Sequence, residues 1–393
     1  MEKKTCFDVI LSCLRFAIWK EPISEEIRAL ISGDLFAEIY HLSEKQDLAH
    51  LVGFALKENG LLPKDHPLAP SFEKKIIYAL FRTERIEHHR IKLCSALEQA
   101  GLEHIALKGA VVRNFYPETW MRTSSDADVL VREECLEQAI ALLLDDLGYT
   151  LKERSDHDLS FTAPGGENME LHFDLVGENL MPDAEKILRR VWEMTLPCGD
   201  KAYEKKLSPE FFLFYHIAHM AKHINNGGIG IRFFLDYQLL RAKMKVDEKK
   251  YKELLGLSHL DTFERAASEL CKLWFEKGEK TEKALLLQDF VFSAGIFGEQ
   301  KNFVAVRRGE MGKLTYLKSR IFASYETLCR TYPNLEGKRY LIPYYQFRRL
   351  IDHFRYVGFH KTVSEAKQNL SMPSEDGEKM ARLLKEMDLK FYN

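Results

Sequence analysis

Two aspartates separated by one residue, Asp126-Ala127-Asp128, follow a Lys108-Gly109-Ala110 turn a short way along the chain. On a strand, alternate side chains share a face, so Asp126 and Asp128 point one way and Ala127 and Val129 the other. Like charges held side by side repel each other. The pair is tolerable where a divalent cation or a basic group lies between the oxygens. A hard cation held there neutralises charge on a transferring phosphate, so the pattern points to phosphoryl or nucleotidyl transfer. The segment Asn168 to Val176 alternates polar and apolar residues and puts Glu170, His172 and Asp174 on one face. A site for two metal ions needs a third acidic position besides Asp126 and Asp128, and this strand offers one.

The elements that must position these acids are readable nearby. Glu103 to Leu107 is an apolar run that predicts a strand ending at Lys108-Gly109, and Ala110 to Tyr116 predicts a helix closed by Pro117. A glycine at such a junction lets backbone N–H groups approach phosphate oxygens, and Lys108 adds a full positive charge. The loop Trp120 to Ser125 leads into the acidic strand. Lys108, Gly109, Ala110, Arg122 and Ser125 form the expected nucleotide-binding set. Glu133 to Leu147 predicts a helix stopped by Gly148, and Leu159 to Pro164 with the turn Gly165 to Asn168 predicts a hairpin.

The order Leu107-Lys108-Gly109-Ala110, Arg122, Asp126-Ala127-Asp128-Val129-Leu130-Val131 and Glu170-Leu171-His172 resembles the nucleotidyltransferase superfamily that includes DNA polymerase beta and the aminoglycoside nucleotidyltransferases. Within it, the chain is most similar to the bacterial uncharacterised nucleotidyltransferases. His219-x-x-x-His223, Arg232, Asp236, Tyr332-Pro333, Leu341-Ile342-Pro343 and Arg348-Arg349 extend the likeness over roughly residues 85 to 355. The resemblance implies an α+β fold: a polymerase beta-like core of a small mixed sheet with helices, flanked by N-terminal and C-terminal helical regions. It also implies an NTP substrate and two Mg²⁺ ions, with Asp126, Asp128 and Glu170 as catalytic acids and metal ligands. Two positions depart from the superfamily pattern. Ala110 has no hydroxyl where serine or a second glycine is usual, and Glu170 fills the usual position of an aspartate. Two function classes therefore stand. One is a Mg²⁺-dependent enzyme moving a nucleoside monophosphate to an acceptor, which is a small molecule, RNA or protein. The other is a catalytically degenerate module of the same fold that binds nucleotide or a partner.

Periodicity predicts helices throughout residues 1–100, including Ser24 to Ser32, Phe36 to Asn59 with Gly60 as stop, and Ser71 to Ala100. The mixed core is expected over 101–178, and a C-terminal helical domain over 179–393, helical from Asp183 onward. Ser208-Pro209-Glu210 opens a helix running to about Asn225, before the break Asn226-Gly227-Gly228. On it, His216, His219 and His223 fall at i, i+3 and i+7. Three-histidine metal binding strains at that spacing, and the alternatives are buried, hydrogen-bonded imidazoles or a substrate-facing set. His172, His219, His223 and Arg232 are the expected acceptor pocket, and Asp236 is the expected general base.

Composition excludes several classes. A net charge of −2 over 393 residues argues against polyanion binding by the whole surface. The segment 301–360 differs, with twelve Lys/Arg against four Asp/Glu and interleaved aromatics such as Tyr316, Phe322, Tyr340, Tyr344, Phe347 and Tyr356. That mixture suits RNA, an anionic membrane surface, or an ordinary helical domain whose aromatics are core. Seven scattered cysteines without a Cys-x-x-Cys pair suggest neither a disulfide framework nor a thiolate zinc site, so a reducing, cytoplasmic setting is expected. Phe7 to Trp19, interrupted by Arg15, reads as an amphipathic helix rather than a signal peptide, and no transmembrane segment is expected.

Overall fold

The computed structural model describes the chain except residues 1, 32, 64, 177–180, 296–299, 310–312, 357–366, 368, 372 and 392–393. Five helices come first: α1 (Glu2–Trp19), α2 (Glu25–Leu30), α3 (Gly33–Lys45), α4 (Ala49–Glu58) and α5 (Ala69–Gln99). The Ser24 hydroxyl caps α2 by accepting from the Ile27 amide, as its position before Glu25-Glu26 predicts. The single helix expected over Phe36 to Asn59 is two helices. Asp47 adopts the left-handed region, with φ of 55°, and the Leu48 amide bonds the Ser43 carbonyl. Tertiary contacts override helical propensity at this break. The Gln46 amide donates to the carbonyls of Val291 (3.2 Å) and Ala294 (3.3 Å), while its oxygen accepts from the Ile231 amide (2.9 Å).

The sheet has seven strands among the described residues: β1 (His104–Ala106), β2 (Asp126–Val131), β3 (Thr150–Arg154), β4 (Asp158–Thr162), β5 (Asn168–His172), β6 (Thr195–Pro197) and β7 (Glu204–Leu207). Their spatial order is β3-β4-β5-β2-β1-β7-β6. Strands β2 and β5 run parallel with Asp128 opposite Glu170, and β1 runs antiparallel to β2. Two local readings need correction. The alternation expected through Val176 ends as a strand at His172, because the Phe173 and Asp174 amides turn to the His157 carbonyl and Asp174 pairs with Arg189. The helical reading from Asp183 onward misses β6 and β7, of which β7 pairs in parallel with β1 and carries the sheet past residue 178.

Helices α6 (Lys108–Val112), α7 (Leu136–Ala141) and α8 (Pro182–Leu188) connect the strands. The helix expected over Ala110 to Tyr116 is the single turn α6 followed by a 3₁₀ turn at Arg113–Phe115. The C-terminal part comprises α9 (Pro209–Asn225), α10 (Ile231–Lys243), α11 (Glu248–Leu257), α12 (Asp261–Phe275), α13 (Glu282–Ser293), α14 (Gln300–Arg308), α15 (Lys313–Ile321), α16 (Tyr325–Thr331), α17 (Ile342–Tyr356) and α18 (Ser374–Glu386). Among the described residues, no helix is long and apolar enough to cross a membrane.

Alternation along the strands gives the sheet two chemically different faces. Ala127, Val129, Val131, Leu159, Phe161, Met169 and Leu171 pack against Ile86, Leu93 and Leu97 of α5 and Leu136 of α7. On the other face, Ile105 and Leu130 join a larger core made with α1, α4, α9, α10 and α12, in which Phe211, Phe214 and Phe234 are fully buried. Each such aromatic contributes about 1.5–3 kcal/mol relative to exposure. That second face also carries Asp126, Asp128, Glu170 and His172, so it cannot close completely on the helices. A cavity remains between them.

Candidate active site

The first wall of the cavity is the turn after β1. The Leu107 amide bonds the Asp128 carbonyl at 3.0 Å, which ties the turn to the acidic strand. Lys108 follows with φ of 41°, an unfavourable left-handed geometry for a residue with a Cβ. Gly109 is required by close approach: a Cβ there would lie 2.9 Å from the Ser124 hydroxyl oxygen. Arg113 holds the same junction, donating to the Gly109 carbonyl (3.1 Å) and to the Ser124 hydroxyl (2.8 Å). Gly109→Ala should therefore displace Ser124, lower stability by about 1–3 kcal/mol and weaken NTP binding. Unchanged melting and an unchanged binding isotherm would count against this packing role. Because α6 is only one turn long, its dipole is small, and charge at the turn comes chiefly from Lys108.

The acids follow from strand register. Asp126, half-buried, opens β2 and accepts from the Ser125 hydroxyl at 2.9 Å. Asp128 is buried, and its Oδ1 receives both Lys108 Nζ (2.7 Å) and His172 Nε2 (2.9 Å). His172 Nε2 also lies 3.3 Å from Glu170. The donor atoms of Asp128, Glu170 and His172 all lie within 4.8 Å of one another, so this group could hold a metal ion. His172, expected in the acceptor pocket, lies beside the acids on the sheet side of the cleft. Alternation on β5 places it on the face of Glu170, one pleat along.

Burial and neighbours split the two aspartates electrostatically. Burial, reinforced by the charges of Asp128 and Glu170, pushes Asp126 up to about 6. Burial also opposes the charged form of Asp128, but the Lys108 ammonium and the His172 imidazole outweigh it and hold that carboxyl well below the usual range. His172 is raised despite burial and Lys108, because Asp128 and Glu170 accept its proton. Asp126 binds its proton more tightly in the folded chain than in the unfolded one. Its contribution to stability therefore falls as pH rises from about 4 to about 6. In the metal-free protein, Asp126→Asn should remove that fall and gain about 2–3 kcal/mol at neutral pH. Melting curves between pH 4 and 8 in chelator check it, and parallel pH dependence in both proteins would refute it.

Across the cavity stand α9 and α10. The space measures about 260 Å³, and its sheet side is lined by Lys108, Gly109, Arg122, Ser125, Asp126, Asp128 and Glu170. Its helix side is lined by Tyr215, His216, His219, His223, Arg232, Phe233 and Asp236. Ala110 is buried and does not form part of this wall. His172 opens instead on a small adjoining cavity of about 30 Å³ shared with Lys108, His157, Tyr215 and His219.

The histidines of α9 divide in two. His216 is buried with Nε2 3.0 Å from the Phe233 carbonyl, which ties α9 to α10. His219 and His223 instead face each other with Nε2 atoms 3.2 Å apart. Burial lowers His219 well below its usual value and His223 to about 3, so both are neutral at physiological pH. The three rings do not converge on one point. Asp236, the expected general base, is held by partners that its spacing in the sequence does not show. Its carboxylate is almost fully buried and accepts from Arg122 Nε (2.9 Å to each oxygen) and the Tyr116 hydroxyl (2.7 Å). Arg232 pairs with Asp47 and lies 3.3 Å from the Thr123 carbonyl. The sequence reading did not single out Tyr215 and Ser124, which line the cavity, or Tyr116, Asp47 and Thr123, which bond residues that line it or one another. A tyrosine one helical turn before His219 was the one available signal, for Tyr215.

Of the basic segment 301–360, residues 310–312 and 357–360 lie outside those described, as do the side chains of Phe354 and Tyr356. Tyr316 is buried, Tyr332 packs at a tilt against Tyr345 with ring centres 4.9 Å apart, and Tyr340, Tyr344 and Phe347 are exposed.

The mixed sheet thus sets Asp126, Asp128 and Glu170 next to the Gly109 turn, with α9 and α10 across the cavity. The family model described as "Uncharacterised nucleotidyltransferase" matches residues 34–276, well over half of the chain, and the chain belongs to that family. The solved structure of the antibiotic-resistance factor ANT(2'')-Ia aligns with 48% of this chain and 96% of its own at 13% identity and a TM-score of 0.32. No match is found among curated proteins.

Proposed function

We propose that the chain moves a nucleoside monophosphate from an NTP to an acceptor bound in the cavity between the sheet and α9–α10, releasing pyrophosphate. The observation that carries this reading is the parallel register that sets Asp128 beside Glu170, with Asp126 on the same face and the Gly109 turn next to them. Carboxylate oxygens are hard donors suited to Mg²⁺, so Asp126, Asp128 and Glu170 would hold it, as two ions, with His172 beside them. When bound, Mg²⁺ supplies charge neutralisation on the phosphates. Lys108, Arg122, Ser125 and the backbone at Gly109 bind the triphosphate in this reading. Asp236 and Tyr116 keep Arg122 in place.

The neutral pair His219–His223, with Arg232, faces the acceptor, whose hydroxyl or phosphate they orient by hydrogen bonds. The acceptor is a small molecule, RNA or protein. Exposed Tyr340, Tyr344 and Phe347 next to Arg339 support contact with RNA or an anionic membrane surface by segment 301–360. Ala110 favours the second reading, a binding module of the same fold without turnover.

Labelled NTPs, ATP first, incubated with the protein and a cell lysate and then sorted into RNA, protein and small-molecule fractions test the transfer. Label in one fraction with matching pyrophosphate supports it. Metal-dependent nucleotide binding without pyrophosphate under every acceptor condition establishes the module instead. Mg²⁺ should raise the melting temperature only with NTP present, by the few degrees that about 2–3 kcal/mol of linked binding gives near a hundredfold excess over Kd. Equal stabilisation of an Asp126→Asn/Asp128→Asn double variant would remove the metal from the site.

A further inference from the structure

We infer that Lys108 is an exchangeable internal cation: it occupies Asp128 in the nucleotide-free protein, and a divalent ion reaches that carboxylate only when a triphosphate draws the lysine away. The inference rests on the nucleotidyltransferase reading above and concerns the order in which that site is loaded. Three observations converge on it. Lys108 Nζ lies 2.7 Å from Asp128 Oδ1, the same oxygen that His172 Nε2 approaches at 2.9 Å. That oxygen belongs to the group of Asp128, Glu170 and His172 whose donor atoms lie close enough to share an ion. An ammonium there both fills the coordination position and repels an incoming dication.

The second observation is that Lys108 can leave. Its side chain is a quarter exposed and lines the main cavity, where phosphates would enter. A lysine is a compact charge on a flexible stem, suited to swinging between two anions. The third is backbone strain. Lys108 holds φ of 41° at the turn, a conformation that a residue with a Cβ leaves when the contact compensating it is lost. The ion pair with Asp128 is one of the contacts that fix this turn, beside the bond from the Leu107 amide to the Asp128 carbonyl. Triphosphate oxygens present a higher charge than one carboxylate, so they compete for the ammonium and free Asp128 at the moment the nucleotide arrives.

The consequence is coupling: metal and nucleotide bind together, and metal alone binds weakly. Mn²⁺ uptake, read from the loss of its free electron-paramagnetic-resonance signal, tests this without turnover. In wild type, Mn²⁺ alone should bind weakly, and an α,β-methylene nucleoside triphosphate should tighten it. In Lys108→Met, Mn²⁺ alone should bind on the order of tenfold tighter or more, and the analogue should add much less. Lys108→Arg, which keeps the charge, should behave as wild type. Lys108→Gln replaces the Met variant if that one does not fold. Equal Mn²⁺ affinity of wild type and the uncharged variant without nucleotide overturns the gate while leaving the enzymatic reading intact. If neither protein takes up Mn²⁺ with any of the four base analogues, the enzymatic reading fails as well.

Discussion

Asp128→Asn is expected to reduce transfer by roughly a thousandfold and to destabilise the protein. The two effects share one cause. Asp128 is the only carboxylate within bonding distance of Lys108 Nζ among the described residues, and it also anchors His172. Neutralising it leaves a largely buried ammonium and a raised imidazole facing an amide. Breaking a buried pair costs about 3–5 kcal/mol, and the partial exposure of Lys108 reduces this to about 2–3 kcal/mol. Asp126→Asn should reduce transfer similarly yet gain stability at neutral pH, because burial and its acidic neighbours already raise that carboxyl to about 6. Opposite stability changes with a common loss of turnover separate this arrangement from a purely structural carboxylate cluster. Paired melting and pyrophosphate-release measurements on both variants decide it. Destabilisation by both, or full activity in either, would break the assignment.

Asp236→Asn should lower stability by about 3–5 kcal/mol, because it leaves the Arg122 guanidinium buried without its counter-charge. Turnover should fall roughly a hundredfold, and NTP affinity should fall with it, since Arg122 is then free to turn from the cavity. A general base would behave otherwise: turnover alone would drop and the acidic limb of the pH–rate profile, which reports protonation of the base, would disappear. Arg122→Met combined with Asp236→Leu should be more stable than either single variant, because no charge remains unpaired. Wild-type melting and NTP affinity in Asp236→Asn, together with lost turnover, would return Asp236 to the chemistry.

The legible parts of the fold are those written in short-range periodicity. Asp126-Ala127-Asp128-Val129 and Asn168 to His172 alternate because one sheet face is core and the other carries polar groups, so two strands and their acids could be placed from the pattern. Strands β6 and β7 escaped because they are short and mostly uncovered, so nothing forces apolar alternation on Thr195-Leu196-Pro197 or Glu204-Lys205-Lys206. The break between α3 and α4 contains neither glycine nor proline. It is stabilised by partners remote in sequence, including Ile231 and Arg232. The same limit explains Asp236, whose spacing reveals a carboxylate near the cleft but not that Arg122 and Tyr116, 114 and 120 positions away, would take its oxygens.

Gln46 gives the N-terminal helices a role beyond packing. Its three hydrogen bonds end on α13, the residue after it and the first amide of α10, while its neighbour Asp47 takes Arg232 and Thr123 at the edge of the cavity. The N-terminal helices and elements from the middle and later parts of the chain are thus fastened at one short break, and the cavity wall is an outcome of that fastening. The expected corollary is cooperative melting: residues 34–276 should lose structure in a single transition. Amides in α3, α4 and α10 should then exchange hydrogen together, at the rate set by global opening.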